Sequence, residues 1–151
     1  MASSEPAELR RVISWRDYDE LVSSIASQLG DWEPEAIVGL TRGGLIPAVQ
    51  FSHMFNAKLY TLNISLRDGK APKTKFDWSE LVKYHRVLIV DDINDSGATL
   101  FEVHNQFYGH ALQNPKFATL LSKRSSKMSV DYAGEHINKG KENDWIVFPW
   151  E

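Results

Sequence analysis

The segment Val87 to Leu100, VLIVDDINDSGATL, concentrates groups able to hold a phosphorylated sugar. An aliphatic strand runs into Asp91 and Asp92, then through Asp95 and Ser96 into Gly97, where a helix should begin. Outside the carboxyl end of a parallel strand, a helix amino terminus offers free backbone N–H groups and partial positive charge, a setting that favours an anion. Ser96 and Thr99 add hydroxyl donors, while Gly97 and Ala98 let the backbone come close. Asp91 and Asp92 can accept hydrogen bonds from vicinal hydroxyls or hold a magnesium shell. A phosphate beside a diol is the chemistry of a ribose 5-phosphate. A second loop, Thr41-Arg42-Gly43-Gly44, follows an earlier apolar segment; its N–H groups form another nest, and Arg42 can meet a diphosphate.

Such loops need a parallel sheet behind them, and the pattern of the chain supplies one. Ser14 and Asp17 form a capping pair, after which Trp15, Tyr18, Leu21, Val22, Ile25 and Leu29 recur at helical spacing until Gly30. Ala36 to Leu40 reads as a strand and the apolar stretch up to Asn56 as a helix, with Pro47 tolerated in its first turn. Lys58 to Ser65, Val87 to Val90 and Phe117 to Leu121 read as further strands, and Gly97 to Gly109 as a helix. Strands alternating with helices predict an α/β fold, a parallel twisted sheet flanked by helices, forming a single domain over 12–151. Residues 1–11 read as a flexible arm. Residues 66–78 read as a mobile loop, a candidate lid, because they carry Gly69 and Pro72 and no apolar period. From Ser65 to Arg86 there are six Lys and Arg against three acids, a positive patch in a chain that is negative overall. Ser122 to Asp144 is polar, and WIVFPWE at the end is apolar enough to require docking.

Composition narrows the function. The 151 residues hold 17 Lys and Arg against 20 Asp and Glu, a net charge of −3, which argues against a general nucleic-acid binder. The absence of cysteine excludes disulfides, thiolate metal sites and cysteine nucleophiles. No apolar run approaches the roughly 20 residues that span a bilayer. The expectation is a cytoplasmic protein without membrane or nucleic-acid partners. Rival motifs fail on spacing. Asp92, Asn94, Ser96 and Gly97 open like a calcium-binding EF-hand, but the twelfth position is Val103 rather than Glu. Asp91 to Asp95 has the metal-motif spacing of isoprenoid synthases, which carry it within long helices. Gly134 and Gly140-Lys141 imitate a P-loop with one residue too many and Glu142 in place of the hydroxyl. Carboxylates that merely cap a helix would leave three aspartates in five residues repelling one another. The five histidines show no metal spacing, and the Asn63-Ile64-Ser65 sequon lacks a secretion signal.

Hydrophobic strand, two acids, two spacers, Asp, hydroxyl, Gly, small residue, Thr: this order resembles the 5-phosphoribosyl-1-pyrophosphate (PRPP) signature of type I phosphoribosyltransferases. The resemblance implies that Asp91 and Asp92 engage the ribose hydroxyls and that Ser96, Gly97, Ala98 and Thr99 take the 5-phosphate. Asp95 would exchange a proton with the base. Asn94 stands where many relatives are aliphatic and should point away from the phosphate. Thr41, Arg42, Gly43 and Gly44 resemble the pyrophosphate loop of the family, in which the peptide before the basic residue is often cis. The 66–78 loop would close over the pyrophosphate. The ending WIVFPWE is similar to the WIxxPWD segment of bacterial xanthine-guanine phosphoribosyltransferases, and the order of elements matches over about residues 10 to 151. By position, Ile146 would stack on a purine, the Trp145 carbonyl would read an exocyclic group and Lys123 would donate to the 6-oxo oxygen. Glu151 would support Mg2+ with Asp91 and Asp92, and 123–151 would form a small hood. Val147 replaces an acid found there. The implied activity joins PRPP to a 6-oxopurine in a homodimer or homotetramer. Two alternatives stay open: transfer to a pyrimidine or other base, and a non-catalytic PRPP-binding regulatory module.

Overall fold

The computed structural model describes residues 10–64, 76–110, 112, 114–140, 143 and 145–151. The chain enters through a two-residue strand, β1 (Arg11–Val12), and turns at Ser14 into α1 (Trp15–Leu29). Ser14 Oγ accepts from Asp17 N–H at 3.0 Å and the Asp17 carboxylate accepts from Ser14 N–H at 2.9 Å, so two otherwise unpaired amides are satisfied reciprocally. The helix buries Tyr18, Leu21, Val22, Ile25 and Leu29, the stripe read from the sequence except for Trp15, which stays exposed at the first turn, and stops at Gly30, which takes a positive φ.

The remaining elements alternate. They are β2 (Ala36–Thr41), α2 (Leu45–Phe55), β3 (Lys58–Asn63), a 3-10 helix (Trp78–Leu81), β4 (Val87–Asn94), α3 (Ala98–Phe107), β5 (Lys116–Lys123), β6 (Tyr132–Ile137) and β7 (Ile146–Val147). Five strands form one parallel sheet in the order β3-β2-β4-β5-β6. Both faces are covered. Ile37, Leu88, Val90 and Leu120 pack with α1 and α2, whereas Val38, Leu40, Ile89 and Phe117 pack with α3 and the 3-10 helix. Alternate residues of one strand thus enter different cores, which is why these strands read as unbroken apolar runs.

The strand order decides where a ligand fits. From β2 the chain first moves outward to β3 and then returns to β4 on the other side of β2. That reversal opens a crevice at the carboxyl ends of β2 and β4, where Thr41–Gly44 and Asp91–Thr99 lie.

Several boundaries differ from the sequence reading. Residues 66–75 of the expected lid lie outside the described residues, but Trp78 is not loop. Its indole is buried and packs edge-on against Phe76 and Phe107, an anchoring that no local period announces. Arg86, counted in the positive patch, is held at the amino-terminal edge of the sheet: its Nε donates to the Glu33 carbonyl at 2.6 Å. Arg11 is not part of an arm, since it pairs with Ile146 in the β1–β7 ladder. β6 was not foreseen; it buries Ala133 and Ile137 and carries Gly134, whose missing side chain leaves room for Leu21 of α1. Because β6 belongs to the main sheet, the portion of 123–151 standing apart from it is β7 and its flanks. The apolar end is docked as required. Phe148 is buried and stacks on Trp150 with ring centroids 5.0 Å apart.

Candidate active site

β2 delivers the chain to the crevice at Thr41, whose hydroxyl donates to the Leu62 carbonyl of β3 at 3.4 Å. The Thr41–Arg42 peptide is cis, as the resemblance implied. Gly44 N–H donates to the Leu40 carbonyl at 2.8 Å and Leu45 N–H to the Arg42 carbonyl at 3.1 Å, folding the loop back onto the sheet before α2 starts. The two glycines are there for closeness. A Cβ on Gly43 would overlap the Asp92 carboxylate, and one on Gly44 would meet the Val90 and Leu40 carbonyls and lie 2.9 Å from Asp91 Cα. Arg42 is left exposed at the rim.

β4 supplies the acids. Asp91 Oδ1 accepts from Asp92 N–H at 2.8 Å and Asp92 Oδ1 from Ile93 N–H at 2.7 Å. Burial, and then the negative charge of Asp92, holds the Asp91 carboxyl well above the usual carboxylate range. Burial also raises Asp92, helped by the charge of Glu151 and opposed by the hydrogen bonds it accepts. Neither acid has a Lys, Arg or His ion-pair partner among the described residues. Two crowded acids without a cation are a donor set suited to Mg2+ or sugar hydroxyls. No group of three or more acids or histidines among the described residues is placed to hold a metal ion, so substrate and water oxygens would complete a magnesium shell begun by one or two carboxylates. Asp91 and Asp92 fit the ion to that extent.

The turn after β4 is shaped for an anion. Gly97 takes φ +92°, a conformation glycine adopts without penalty, and α3 then begins at Ala98 with the first-turn amides that no intrahelical carbonyl can reach. Ser96 Oγ accepts one of them, Ala98 N–H, at 3.2 Å. A cavity of about 200 Å³ is lined by Asp91 through Leu100, including Asp95, Ser96, Gly97 and Thr99. A second, of about 740 Å³, is lined by Thr41, Arg42, Gly43, Asp92, Trp150 and Glu151, with Leu45, Ile46 and Ile64 as its apolar wall. Asp92 borders both.

Lys123, the last residue of β5, reaches the turn. Its Nζ lies 2.8 Å from Asp95 Oδ1; the Lys123 side chain is 10% exposed and that of Asp95 64%. The register explains this: Asn94 pairs with Ser122, so the next residue on each strand meets across the ladder. Trp145 and Ile146 sit differently. The Trp145 carbonyl accepts from Arg11 N–H at 2.9 Å, which commits one of its lone pairs to the β1–β7 ladder and leaves one for a ligand. The exposed indole carries the Arg10 guanidinium 4.4 Å from its ring centre. Ile146 borders the same buried cluster as Ile93 of β4, and among the described residues neither Trp145 nor Ile146 makes a hydrogen bond or ion pair to Lys123 or to the turn after β4. Three participants were missed from the sequence. Ile46 and Trp150 wall the larger cavity, and Ser126 fills the side-chain space of Gly97; Ile46 and Ser126 are brought in by topology, and Trp150 lies in the WIVFPWE segment without having been given a role.

The chain is similar over nearly all of its length to proteins of one family. A family model described as the phosphoribosyl transferase domain matches residues 12–151. Xanthine-guanine phosphoribosyltransferase of Cereibacter sphaeroides is 33% identical over 147 residues, covering 93% of this chain and 79% of that protein. The enzyme of the same name from Nitratidesulfovibrio vulgaris is 26% identical, covering 92% and 83%. The crystal structure of a purine phosphoribosyltransferase from Pyrococcus horikoshii superimposes with a TM-score of 0.80 at 31% identity, covering 94% of each chain.

Proposed function

Because the chain belongs to the phosphoribosyltransferase family, we propose that it is a purine phosphoribosyltransferase that moves ribose 5-phosphate from PRPP to a 6-oxopurine, giving the nucleoside monophosphate and pyrophosphate. The observation that carries this reading is the pair of cavities meeting at Asp92: one lined by the helix start and hydroxyls of Asp95–Thr99, the other by Arg42 and Gly43. A ligand anchored in both, with a diol at the junction, has the charge distribution of PRPP.

In this reading Ser96, Gly97, Ala98 and Thr99 bind the 5-phosphate. Thr41, Arg42, Gly43 and Gly44 bind the diphosphate, and Asp91 and Asp92 hold the ribose hydroxyls. Fixing both ends of PRPP leaves the anomeric carbon between them, where positive charge grows as the carbon–oxygen bond to the diphosphate breaks; the acids beneath stabilise it. Asp91, Asp92 and Glu151 would hold magnesium, which would supply charge neutralisation for the departing diphosphate. A purine ring nitrogen forms the new bond to that carbon, and its proton passes to Asp95. Lys123, kept beside Asp95, donates to the 6-oxo oxygen, Ile146 stacks on the ring and the remaining lone pair of the Trp145 carbonyl reads an exocyclic group. The same reading makes the enzyme a cytoplasmic homodimer or homotetramer; exposed Phe101 and Tyr108 at α3 support association.

The test is a panel of xanthine, guanine, hypoxanthine, adenine, uracil and orotate with PRPP and Mg2+, scored for nucleotide. Product from at least one 6-oxopurine and none from the pyrimidines is expected. Product only from a pyrimidine replaces the substrate class, and saturable PRPP binding without any product makes the chain a binding module.

A further inference from the structure

We infer that Asn94 is a positioning residue that locks the phosphate turn to the strand end carrying Lys123, so that the two halves of the site are held as one piece. This rests on the assignment of Ser96–Thr99 to a phosphate and Lys123 to a base. Asn94 is 2% exposed and Ser122 3%, in a place where an aliphatic side chain would satisfy the core. Its amide is used by the protein instead. Nδ2 donates to Ser122 Oγ at 3.1 Å and to the Met128 carbonyl at 2.7 Å, and Oδ1 accepts from Ser126 Oγ at 2.8 Å. All three partners lie on the segment that begins with Lys123 or immediately before it.

The tie is repeated along the turn. The Lys127 N–H donates to the Ser96 carbonyl at 3.1 Å. Gly97 has its side-chain space filled from the same segment, since a Cβ there would stand 2.7 Å from Ser126 Oγ and 2.8 Å from Met128 N. Directional hydrogen bonds, one buried and the others half-buried, permit one relative placement of 94–97 and 122–128, whereas apolar packing permits several. That matters only to a ligand touching both halves. PRPP meets the phosphate turn and a free base meets Lys123, but a nucleoside monophosphate spans them and benefits from halves already in place.

The decisive variant is Asn94→Val combined with Ser122→Ala and Ser126→Ala, which removes the side-chain network together and leaves only the half-buried Met128 N–H and carbonyl to find new partners; Asn94→Val alone serves as the second variant. Hydrogen exchange of the ligand-free protein reads the Lys127 amide, whose bond to Ser96 is backbone to backbone and untouched by the substitutions. Its protection should fall about tenfold or more while that of the Arg124 amide, bonded to the Ile137 carbonyl, stays within about twofold. Calorimetry should then show IMP bound about fivefold or more weakly and PRPP within about twofold of the parent. Unchanged Lys127 protection, a parallel loss at Lys127 and Arg124, or equal losses for IMP and PRPP would each overturn the inference. A parent protein that binds neither PRPP nor IMP would instead sink the functional reading, and the exchange result would still decide the coupling.

Discussion

Asp95, which lines the smaller cavity, stands 2.8 Å from Lys123 Nζ, the acid largely exposed and the lysine nearly covered. A proton acceptor has to be reachable by the purine, and a hydrogen-bond donor to an oxo group has to be shielded from water to matter; the pair has that division of exposure. Replacing Asp95 with Asn should lower kcat by about tenfold to a thousandfold, the range of a lost proton acceptor, while the PRPP dissociation constant changes little; unchanged turnover removes the role assigned to Asp95. Asp91 gives a pH-dependent test. Its carboxyl is held above the ordinary value in the folded chain, so the folded state keeps its proton while the unfolded state loses it, and stability falls as pH rises through that interval. Asp91→Asn keeps an Oδ1 to accept from Asp92 N–H and removes the penalty. The ligand-free variant should melt above the parent at pH 8, and the gap should shrink steadily toward pH 5. A gap that widens toward acid contradicts the sign.

Between residues and the molecule stand the two loops, each a glycine-bearing turn that joins a strand to a helix. Gly44 is fitted against backbone alone: the Val90 and Leu40 carbonyls and Asp91 Cα. Backbone does not swing aside as a side chain does, so Gly44→Ala should destabilise by about 1–3 kcal/mol, the usual range for overpacking, measured as a lower urea midpoint with an unchanged slope. The Arg42 side chain, by contrast, is exposed and makes no hydrogen bond or ion pair among the described residues. Arg42→Ala should leave the urea midpoint within about 0.5 kcal/mol of the parent and weaken PRPP and pyrophosphate, read by calorimetry. The two substitutions, two residues apart, separate the loop's structural and binding duties.

At the scale of the whole molecule, Arg11 and Val12 meet the last residues, and Trp150 and Glu151 line the larger cavity. β1 and β7 pair beside the main sheet, and the Arg11 guanidinium binds the Glu135 carboxylate of β6 through two hydrogen bonds. Trp150 lies against Phe148, Tyr18 and Trp15 and also walls the larger cavity beside Glu151. Trp150→Ala should therefore act twice. Loss of a half-buried aromatic should cost about 2–3 kcal/mol, seen as a fall in Tm of about 5–10 °C for a chain this long, and KM for PRPP should rise because Glu151 loses its support. A drop in Tm with unaltered PRPP kinetics would confine Trp150 to packing.

The sequence by itself determined what is local. The Ser14–Asp17 cap, the buried stripe of α1, the apolar runs of β2 and β4, and the order of acids, hydroxyls and glycines from Asp91 to Thr99 all act through neighbours a few residues away. That order, with Thr41–Gly44, was enough to point to the family. Tertiary structure alone decided the rest. β6 has too little apolar surface to announce itself and exists because β5 and α1 leave a place for it. The burial of Trp78, the tether of Arg86 to Glu33 and the grip of Asn94 on Ser126 and Met128 join residues far apart in the chain. Short-range spacing carries no information about such pairs, because the fold itself creates the distance over which they interact.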